Sequence, residues 1–498
     1  MSLVQFLVDH KLIRPDQAAE AVKHRTTSGG SLSDALISLG LVRAEVLREL
    51  MGAPPPEPNT IEDTGLDPRF LLYLLLKTMY VTGVEVPSAM SNQIRLHGGI
   101  IETILQDAKV KKLVSVLGTI GSFTGELRYE LTDLGRQWAL DALTQSRYVG
   151  PAPVPLADYQ SQVMKQSIEL ETVTRDTLTR AMAHLVLPQS IFHQVGPAVN
   201  SAKSILLFGA SGNGKTSLAE AIADAFGGHI YVPHCLEVDQ QIITVYDDAV
   251  HEPIDPQPEP ARPEGAPPAA AVPPAEEYDQ RWVKCKRPVV VTGGELTLET
   301  LDLIHDPISN YYEAPAHIKA AGGIFIIDDF GRQRVPPREI LNRWILPLER
   351  RVDYLTLHTG KKVRMPFDQV VIFSTNMEPR ELMDDAAMRR VQYKFRLPAP
   401  TREDYIEVFR RVCKAHTLDP PSDDLLSHLI DFVYPQTHSP LSAYHPRFIV
   451  EHAITTCDYE GVPRALTKEL AQEAVLNLVA TQLPEDIELA TPESPGGG

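Results

Sequence analysis

The sequence predicts an α/β protein in which a parallel sheet is flanked by helices, with a C-terminal helical lid after it and two small modules before it. Three observations carry this prediction. An apolar run after Ser204 leads into a glycine-rich turn and then into a helical pattern, which is the order of a strand, a loop and a helix. Two later apolar runs end in Asp328 and Asn376. Residues 401–482 then repeat apolar positions at helical spacing.

Length and composition set the outer bounds. The chain has 498 residues, which is too long for one ordinary core, so two to four domains are expected. Hydrophobic residues make up 43% and charged residues 22%, as in globular proteins. The formal net charge of -18 argues against a protein that coats nucleic acid by bulk electrostatics, although a local basic patch is compatible with it.

The four cysteines are widely spaced and form no C-x-x-C pair, which fits a reducing cytosol and gives no zinc signature. The most apolar run, residues 70–76, ends at Lys77 and is too short to cross a bilayer. The N-terminus has neither a basic flank nor a cleavable apolar run. We therefore expect a cytoplasmic location, with no signal peptide and no transmembrane segment.

Residues 1–51 form the first predicted module, in which apolar positions recur at helical spacing at residues 3–7, 18–22 and 32–39. The module resembles the N-terminal domain of type II secretion and type IV pilus assembly ATPases. Some members of that family bind cyclic di-GMP through motifs built around Arg-Leu-Gly. The corresponding positions here, residues 3–5 and 30–32, contain no arginine. We therefore predict a helical docking module, with cyclic dinucleotide binding as the open alternative.

A proline-rich linker is predicted at residues 52–64, and residues 65–148 form the second predicted module. Its predicted elements are helices at 70–82, 86–94 and 100–108, strands at 112–117 and 127–131 around a loop at 118–125, and a helix from Thr132 to about Leu143. Helices followed by a hairpin and a helix resemble a winged helix.

The residues of the third helix of this module indicate which kind of partner it binds. Winged helices often bind DNA, but this helix carries Glu102, Gln106 and Asp107 before its lysines. A DNA reader usually has arginines there to contact phosphates and guanines. We favour a protein partner, with DNA as the alternative. Pro151, Pro153 and Pro155 then mark a second predicted linker.

The strand–loop–helix stretch carries the strongest chemical signal. Glycines there let backbone N–H groups point at phosphate oxygens, and the helix N-terminus adds a partial positive charge. Lys215 would reach the β- and γ-phosphates, and Thr216 would offer its hydroxyl to Mg²⁺. The residues that match G-x-x-x-x-G-K-[ST], with the one that follows, are Gly209, Ala210, Ser211, Gly212, Asn213, Gly214, Lys215, Thr216 and Ser217. Residues 185–189, just upstream, either contact an adenine or simply pack.

Polar side chains after later strands complete the set. Asp328 is placed to hold Mg²⁺ through water, and Asp329 to orient or deprotonate the attacking water. Asn376 follows a further strand and can hydrogen-bond that water. Downstream, Arg389 and Arg390 precede an alternating strand at residues 393–397, and Arg447 begins a helix.

In this order the motifs resemble those of AAA+ ATPases over residues 169–482. The resemblance implies an α/β nucleotide-binding domain at 158–399, a helical lid at 400–482, and ATP with Mg²⁺ as ligands. It also implies a homo-oligomer, a hexamer or a related ring, which remodels a protein client held by the N-terminal modules. The implied roles are Walker A for Lys215 and Thr216, Walker B for Asp328 and Asp329, sensor 1 for Asn376, arginine finger for Arg389 or Arg390, and sensor 2 for Arg447.

Two departures from the family pattern matter. The second acid is Asp329 where the family usually has Glu, so slow hydrolysis or a switch-like role is an alternative to a fast motor. That alternative is a nucleotide-gated scaffold or a DNA-associated regulator. The second departure is the segment before Walker B, where residues 251–277 hold nine prolines and no aromatic residue and are predicted to be a disordered insertion near the pore.

Around that insertion, residues 230–232 are predicted to be a short strand, and residues 241–246 and 281–291 the two arms of an extended hairpin. A second hairpin is predicted from 353–357 with 361–365, as in the hairpin-bearing branch of AAA+ proteins. The acidic tail at 483–498 is predicted to be disordered.

Overall fold

The computed structural model describes residues 7–8, 11–28, 32–43, 46, 52–119, 126–254, 278–437 and 439–479. Several predictions lie outside these residues. They are the first helix at residues 3–6, most of the loop at 118–125, the insertion from 255 to 277 and the tail at 483–498.

The helices and strands define the architecture described below. The helices are α1 (Pro15–Ser28), α2 (Leu32–Ser38), α3 (Pro68–Thr82), α4 (Pro87–Ile94), α5 (Gly98–Val110), α6 (Asp133–Gln145), α7 (Leu156–Lys165), α8 (Arg175–Ala181), α9 (Gln189–Asn200), α10 (Lys215–Asp224), α11 (Ala316–Lys319), α12 (Pro337–Arg343), α13 (Ile345–Arg350), α14 (Pro379–Leu382), α15 (Asp385–Arg390), α16 (Arg402–Ala415), α17 (Asp423–Ser427), α18 (Tyr434–Thr437), α19 (His445–Glu460) and α20 (Lys468–Val479). The strands are β1 (Val114–Thr119), β2 (Leu127–Leu131), β3 (Val154–Pro155), β4 (Ile205–Phe208), β5 (His229–Pro233), β6 (Cys235–Val238), β7 (Gln241–Thr244), β8 (Trp282–Lys286), β9 (Val289–Thr292), β10 (Ile304–Asp306), β11 (Tyr311–Glu313), β12 (Ile324–Ile327), β13 (Val352–Thr356), β14 (Lys362–Pro366), β15 (Val370–Thr375) and β16 (Tyr393–Arg396).

A five-stranded parallel sheet forms the centre of the α/β part, in the order β16-β4-β15-β12-β9. Strands β12 and β15 are buried along their whole length, which explains why their sequences are unbroken apolar runs. One face packs against α8, α9 and α10 in one apolar cluster, and the other against α12 and the buried ring of Trp344. The predicted fold class is confirmed.

The extended hairpin predicted around the insertion is wrong. The strand predicted at 230–232 exists as β5, but it pairs antiparallel with β8 outside the central sheet. The chain then turns directly into β9, which is the second strand of the central sheet in chain order. β9 lies at the sheet edge and is buried only at alternate residues. The predicted hairpin at 353–365 is confirmed as β13–β14.

A second, mixed sheet was not predicted. Its order is β10-β11-β7-β6-β3, and its edge strand β3 comes from the proline-rich residues predicted as a linker. β3 pairs in parallel with β6, and Ala152 and Val154 are fully buried. Residues 52–64 are also packed, since Asp279 N–H donates to the carbonyl of Pro55 at 3.0 Å. Neither stretch is therefore a free spacer in the structure.

The two N-terminal regions pack directly on the α/β part. In the second region the predicted three helices, hairpin and helix are present as α3, α4, α5, β1–β2 and α6. Its apolar core continues into Cys235 and Ile242 of the mixed sheet. In the first region, α1 and α2 share a cluster with α7, and Ser33 Oγ donates to the carbonyl of Leu170 at 2.8 Å.

The C-terminal region is helical, as predicted, and runs from α16 to α20 around its own apolar cluster. A π-helical turn at His428–Val433 joins α17 to α18. The start of the predicted disordered insertion is corrected, because His251 is 1% exposed and residues 252–254 hydrogen-bond to β8. Among the described residues no single helix is long and apolar enough to cross a membrane, although the sharply bent pair α3 and α4 meets the criteria of length and composition together.

Candidate functional site

The phosphate-binding loop lies between β4 and α10, as the motif predicts. Its glycines adopt backbone conformations that side chains disfavour, with φ of 137° at Gly209, 76° at Gly212 and 80° at Gly214. A Cβ atom on Gly209 would come within 2.3 Å of the carbonyl oxygen of Leu397. Alanine at that position would therefore push β4 away from the chain that follows β16.

Lys215 begins α10 and is 8% exposed. Its Nζ donates to the carbonyls of Gly209 and Ala210, both at 3.0 Å, and no carboxylate of the described chain lies within 4 Å. Burial lowers the pKa of Lys215, while Asp328 and Asp329 act in the opposite direction. Two of the three N–H groups of the ammonium are thus bonded, and the third remains for a ligand. An ammonium at a helix N-terminus suits a phosphate anion, so the residues present fit the triphosphate that the motif implies.

Thr216 and Asp328 come together across 112 residues of sequence. Thr216 Oγ1 donates to Asp328 Oδ2 at 2.9 Å. Asp328 directly follows β12, and its N–H donates to the carbonyl of Thr292 at the end of β9 at 2.8 Å. A hydroxyl and a carboxylate at one sheet edge are oxygen ligands of the kind Mg²⁺ uses in phosphate sites. These two residues would hold that ion.

Asp329 is exposed and has a left-handed backbone, with φ of 46°. Aspartate and asparagine tolerate this conformation better than residues with longer side chains. The backbone thus gives a physical reason for Asp in place of the usual Glu. The side chain of Asp329 points out of the turn without a described hydrogen-bond partner, while its N–H donates to Asp328 Oδ1 at 3.0 Å.

Gln333 holds the turn that contains Asp328 and Asp329. No motif in the sequence indicated this role. Its side chain is 8% exposed. Nε2 donates to the carbonyls of Asp328 at 3.0 Å and of Gly293 at 3.3 Å, while Oε1 accepts from the N–H of Gly331 at 2.8 Å. The amide therefore fixes the direction in which Asp329 leaves the backbone.

Replacing Gln333 by alanine should lower kcat for nucleotide hydrolysis about 10- to 100-fold with little change in KM, because a small displacement of Asp329 misplaces the attacking water. Steady-state kinetics separates the two constants. Gln333→Glu is the matched control for packing, since it keeps the shape but loses both donors, and it should be equally slow. A full kcat in either variant would contradict the positioning role.

Asn376 directly follows β15 at the same sheet edge and is half-buried. Its neighbour Thr375 donates from Oγ1 to the carbonyl of Phe330 at 2.7 Å. The N–H of Phe330 donates in turn to the carbonyl of Ser374 at 2.7 Å. These bonds fasten the turn after β12 to the end of β15. Asn376 thus follows the strand that pairs with β12, and no hydrogen bond to its side chain is present among the described residues.

The two arginines of α15 differ in their surroundings. Arg390 is held in place, since Nε donates to Glu349 Oε1 and Nη1 to the carbonyl of Ala386, both at 2.8 Å. Arg389 is exposed and bonds only through Nε, to the carbonyl of Asp385 at 3.2 Å. No described acceptor binds the Nη atoms of Arg389. Both side chains line a cavity of about 420 Å³ with Lys203 and Glu349, and neither contacts the phosphate loop of its own chain.

The lid touches the phosphate loop through the residues before α19. Tyr444 N–H donates to the carbonyl of Gly212 at 3.0 Å, and Ser442 Oγ donates to Asn213 Oδ1 at 3.2 Å. A Cβ on Gly212 would meet the Tyr444 ring at 2.1 Å. Arg447 lies one turn further along α19, is largely exposed and pairs with Glu451 at 2.8 Å. In the described structure the phosphate loop is thus contacted by Tyr444 and Ser442, which the sequence did not indicate.

Beside this contact lies a narrow, mostly apolar cavity. Residues 186–188 form one side, and Asn213 and Ala443 face them across it. The cavity opens next to the phosphate loop, which is where a purine attached to a bound triphosphate would extend. Residues 186–188 thus line this cavity, while Leu185 and Leu187 also pack against the apolar cluster of the central sheet.

Comparison with known proteins gives limited similarity. A family model described as a domain of unknown function (DUF8689) matches residues 401–477, the helical C-terminal region. No curated protein matches the chain. Among solved structures, NtrX from Brucella abortus in complex with ADP is 18% identical, with 67% of this chain and 64% of that chain covered and a TM-score of 0.34.

A second NtrX structure from the same organism is 16% identical, with coverages of 67% and 66% and a TM-score of 0.36. A RuvB mutant from Thermotoga maritima is 11% identical, with coverages of 64% and 76% and a TM-score of 0.32. The chain spans less than two thirds of the NtrX chains. At scores this low, the assignment rests on the strand order and phosphate loop of this chain, which has an α/β P-loop fold with a helical C-terminal region.

Proposed function

We propose that the chain is an ATP hydrolase of the AAA+ type, which binds ATP with Mg²⁺ and acts as a homo-oligomer to remodel or assemble a protein client. One observation carries the proposal. The hydroxyl of Thr216 and the carboxylate of Asp328 meet at 2.9 Å beside a buried lysine and a glycine loop, at the carboxyl ends of parallel strands. This combination is the arrangement that holds a triphosphate and its metal.

Each residue has a role that follows from its position. The backbone N–H groups of the loop and Lys215 bind the phosphates. Thr216 and Asp328 would hold Mg²⁺, which would supply positive charge against the transferring phosphoryl group. Asp329 accepts a proton from, or orients, the attacking water, and Asn376 hydrogen-bonds the same water. Arg447 would contact the nucleotide from α19, for which its guanidinium exchanges the exposed pair with Glu451 for the phosphates.

Arg389 is the better candidate for the arginine finger. Arg390 is bound to Glu349 and to its own helix, so it serves to anchor α15. The guanidinium of Arg389 is exposed on a surface that does not reach the nucleotide loop of its own chain. An arginine so placed can complete only the site of an adjoining copy, which is why we propose a homo-oligomer.

Steady-state hydrolysis of ATP tests the proposal. The wild-type chain should release phosphate in the presence of Mg²⁺ and stop when EDTA removes the metal. Asp329→Asn keeps the size and the left-handed backbone, so it should bind ATP normally and hydrolyse it about 10²–10³-fold more slowly. Absence of ATP binding by the wild-type chain would overturn the proposal.

A second candidate is a nucleotide-gated scaffold, which the short and exposed side chain of Asp329 favours. Such a protein would bind ATP and change its lid contact through Tyr444, but would turn over ATP very slowly even when oligomeric. The same assay separates the two candidates, since the scaffold predicts equal and negligible rates for the wild type and Asp329→Asn. DNA binding by the second region stays an alternative, which a salt-dependent mobility shift would test.

A further inference from the structure

A cavity of about 540 Å³ lies where the second N-terminal region meets the mixed sheet, away from the phosphate loop. One wall is the first half of α3, another is the end of α6, and the turn between β6 and β7 closes the third side. We call it the α3 cavity. The lining residues that matter for its chemistry are Phe70, Tyr73, Leu74, Lys77, Ser146 and Ile242.

Lys77 is the unusual member of this wall. It is 5% exposed, and its Nζ donates one hydrogen bond, to the carbonyl of Ser146 at 3.0 Å. No carboxylate of the described chain lies within 4 Å of it. Burial lowers the pKa of Lys77 to about 8, so the side chain is still mostly charged at neutral pH. A buried ammonium without a counter-ion is unfavourable, and two of its three N–H groups find no acceptor among the described residues.

The rest of the wall combines apolar and polar groups, because Leu74 and Ile242 lie beside the amide side chains of residues 145, 240, 241 and 310. Phe70 and Tyr73 are half-buried rings beside Lys77. The other charged residues of the lining, Asp67 and Arg69, are exposed at the rim and carry opposite charges. The volume is within the range of small-molecule sites, and Phe70 and Tyr73 give it an apolar surface beside Lys77.

We propose that the α3 cavity binds a small organic acid, whose carboxylate pairs with Lys77 and whose apolar body packs against Phe70 and Tyr73. One buried cation matches one carboxylate better than it matches a doubly charged phosphate. The bound acid would touch both α3 and Ile242 of the mixed sheet, so it would stiffen the junction between these two parts. The inference does not depend on ATP hydrolysis.

A simpler role for Lys77 is to cap the C-terminal end of α6, because lysines often bind the last carbonyls of a helix. The two roles predict opposite effects of Lys77→Met, which keeps the length and apolar stem but removes the charge. A cap that is lost destabilises the chain. A buried charge without its ligand destabilises the free protein. Removal of that charge therefore leaves the unfolding temperature unchanged or raises it.

The test uses the full chain and benzoate, the smallest aromatic carboxylate, with inorganic phosphate as a second probe. Thermal unfolding of the wild type should shift upward with millimolar benzoate, and calorimetry should show one site. Lys77→Met should lose that shift. Lys109→Met, which removes an exposed lysine of α5, should keep it, and so should Lys215→Ala, whose defect is confined to the phosphate loop.

Three results would overturn the proposal. The first is no effect of benzoate on the wild type, and the second is an equal shift in Lys77→Met. The third is a shift that depends on Lys77 for phosphate but not for benzoate, because the ligand class would then be wrong. A destabilised Lys77→Met chain together with a wild type that ignores benzoate would identify Lys77 as a helix cap.

Discussion

Lys215→Ala is expected to reduce ATP turnover by about 10²–10³-fold or more, because it removes the one cation that the described structure places against the phosphate loop. The loss should appear in nucleotide binding as well as in rate, since the Nζ atom also holds the loop through the carbonyls of Gly209 and Ala210. Phosphate release and calorimetric titration with a slowly hydrolysed ATP analogue measure the two effects.

Lys414→Ala provides the matched control, because it removes an exposed lysine from α16 and should leave both quantities unchanged. Thermal unfolding should show that Lys215→Ala remains folded. Should Lys215→Ala hydrolyse ATP at a rate close to that of the wild type, the loop does not hold the reacting nucleotide.

Arg389→Ala is expected to lower ATP turnover by about 10³-fold while leaving ATP binding intact, because an arginine donated across an interface acts on the transferring phosphoryl group. Arg390→Ala should behave differently. It removes the ion pair with Glu349 and the bond to Ala386, so we expect lower thermal stability with only a modest loss of rate. Initial rates at saturating ATP and unfolding temperatures distinguish the two variants.

A mixing experiment decides whether Arg389 acts on its own chain or on its neighbour. Lys215→Ala carries an intact Arg389, and Arg389→Ala carries an intact phosphate loop. When the two inactive chains are mixed, an arginine of the first can complete the site of the second, so part of the activity should return. If the mixture stays as inactive as its components, no such exchange between subunits takes place.

The sequence predicted the central sheet and the site at its edge because the signals there are local. Strands β4, β12 and β15 are short apolar runs, each followed at once by glycine or by polar side chains. Because the carboxyl ends of parallel strands meet at one edge, the closeness of Thr216 and Asp328 followed from the pattern alone. The predicted helices at the C-terminus were recognisable for the same reason, as repeated apolar positions over several turns.

The mixed sheet could not be predicted, because its strands are two to four residues long and two of its pairings, β3 with β6 and β7 with β11, join segments far apart in sequence. β3 consists of Val154 and Pro155 and pairs with β6 more than eighty residues later, so it shows no periodicity to detect. The prolines in both predicted linkers suggested flexible spacers. Pro55 and Val154 are buried, however, so both stretches are parts of the folded core.

Single polar contacts at the site were also beyond sequence reasoning. Gln333 belongs to no motif, and its importance follows only from the three backbone groups that it reaches. The contact of Tyr444 and Ser442 with the loop depends on how the lid sits over β4. Arg447 pairs with Glu451 on the exposed surface of α19, and its contact with the nucleotide stays a prediction.

The shared cluster of α1, α2 and α7 has a practical consequence for anyone who shortens this protein. A version trimmed to start at residue 65 would remove the side chains of α1 and α2 from this cluster and would strip Leu170 of its bond to Ser33. Such a fragment would expose apolar side chains of the cluster to water and would self-associate. The smallest fragment worth purifying therefore keeps its first fifty residues, even when only the α/β part is of interest.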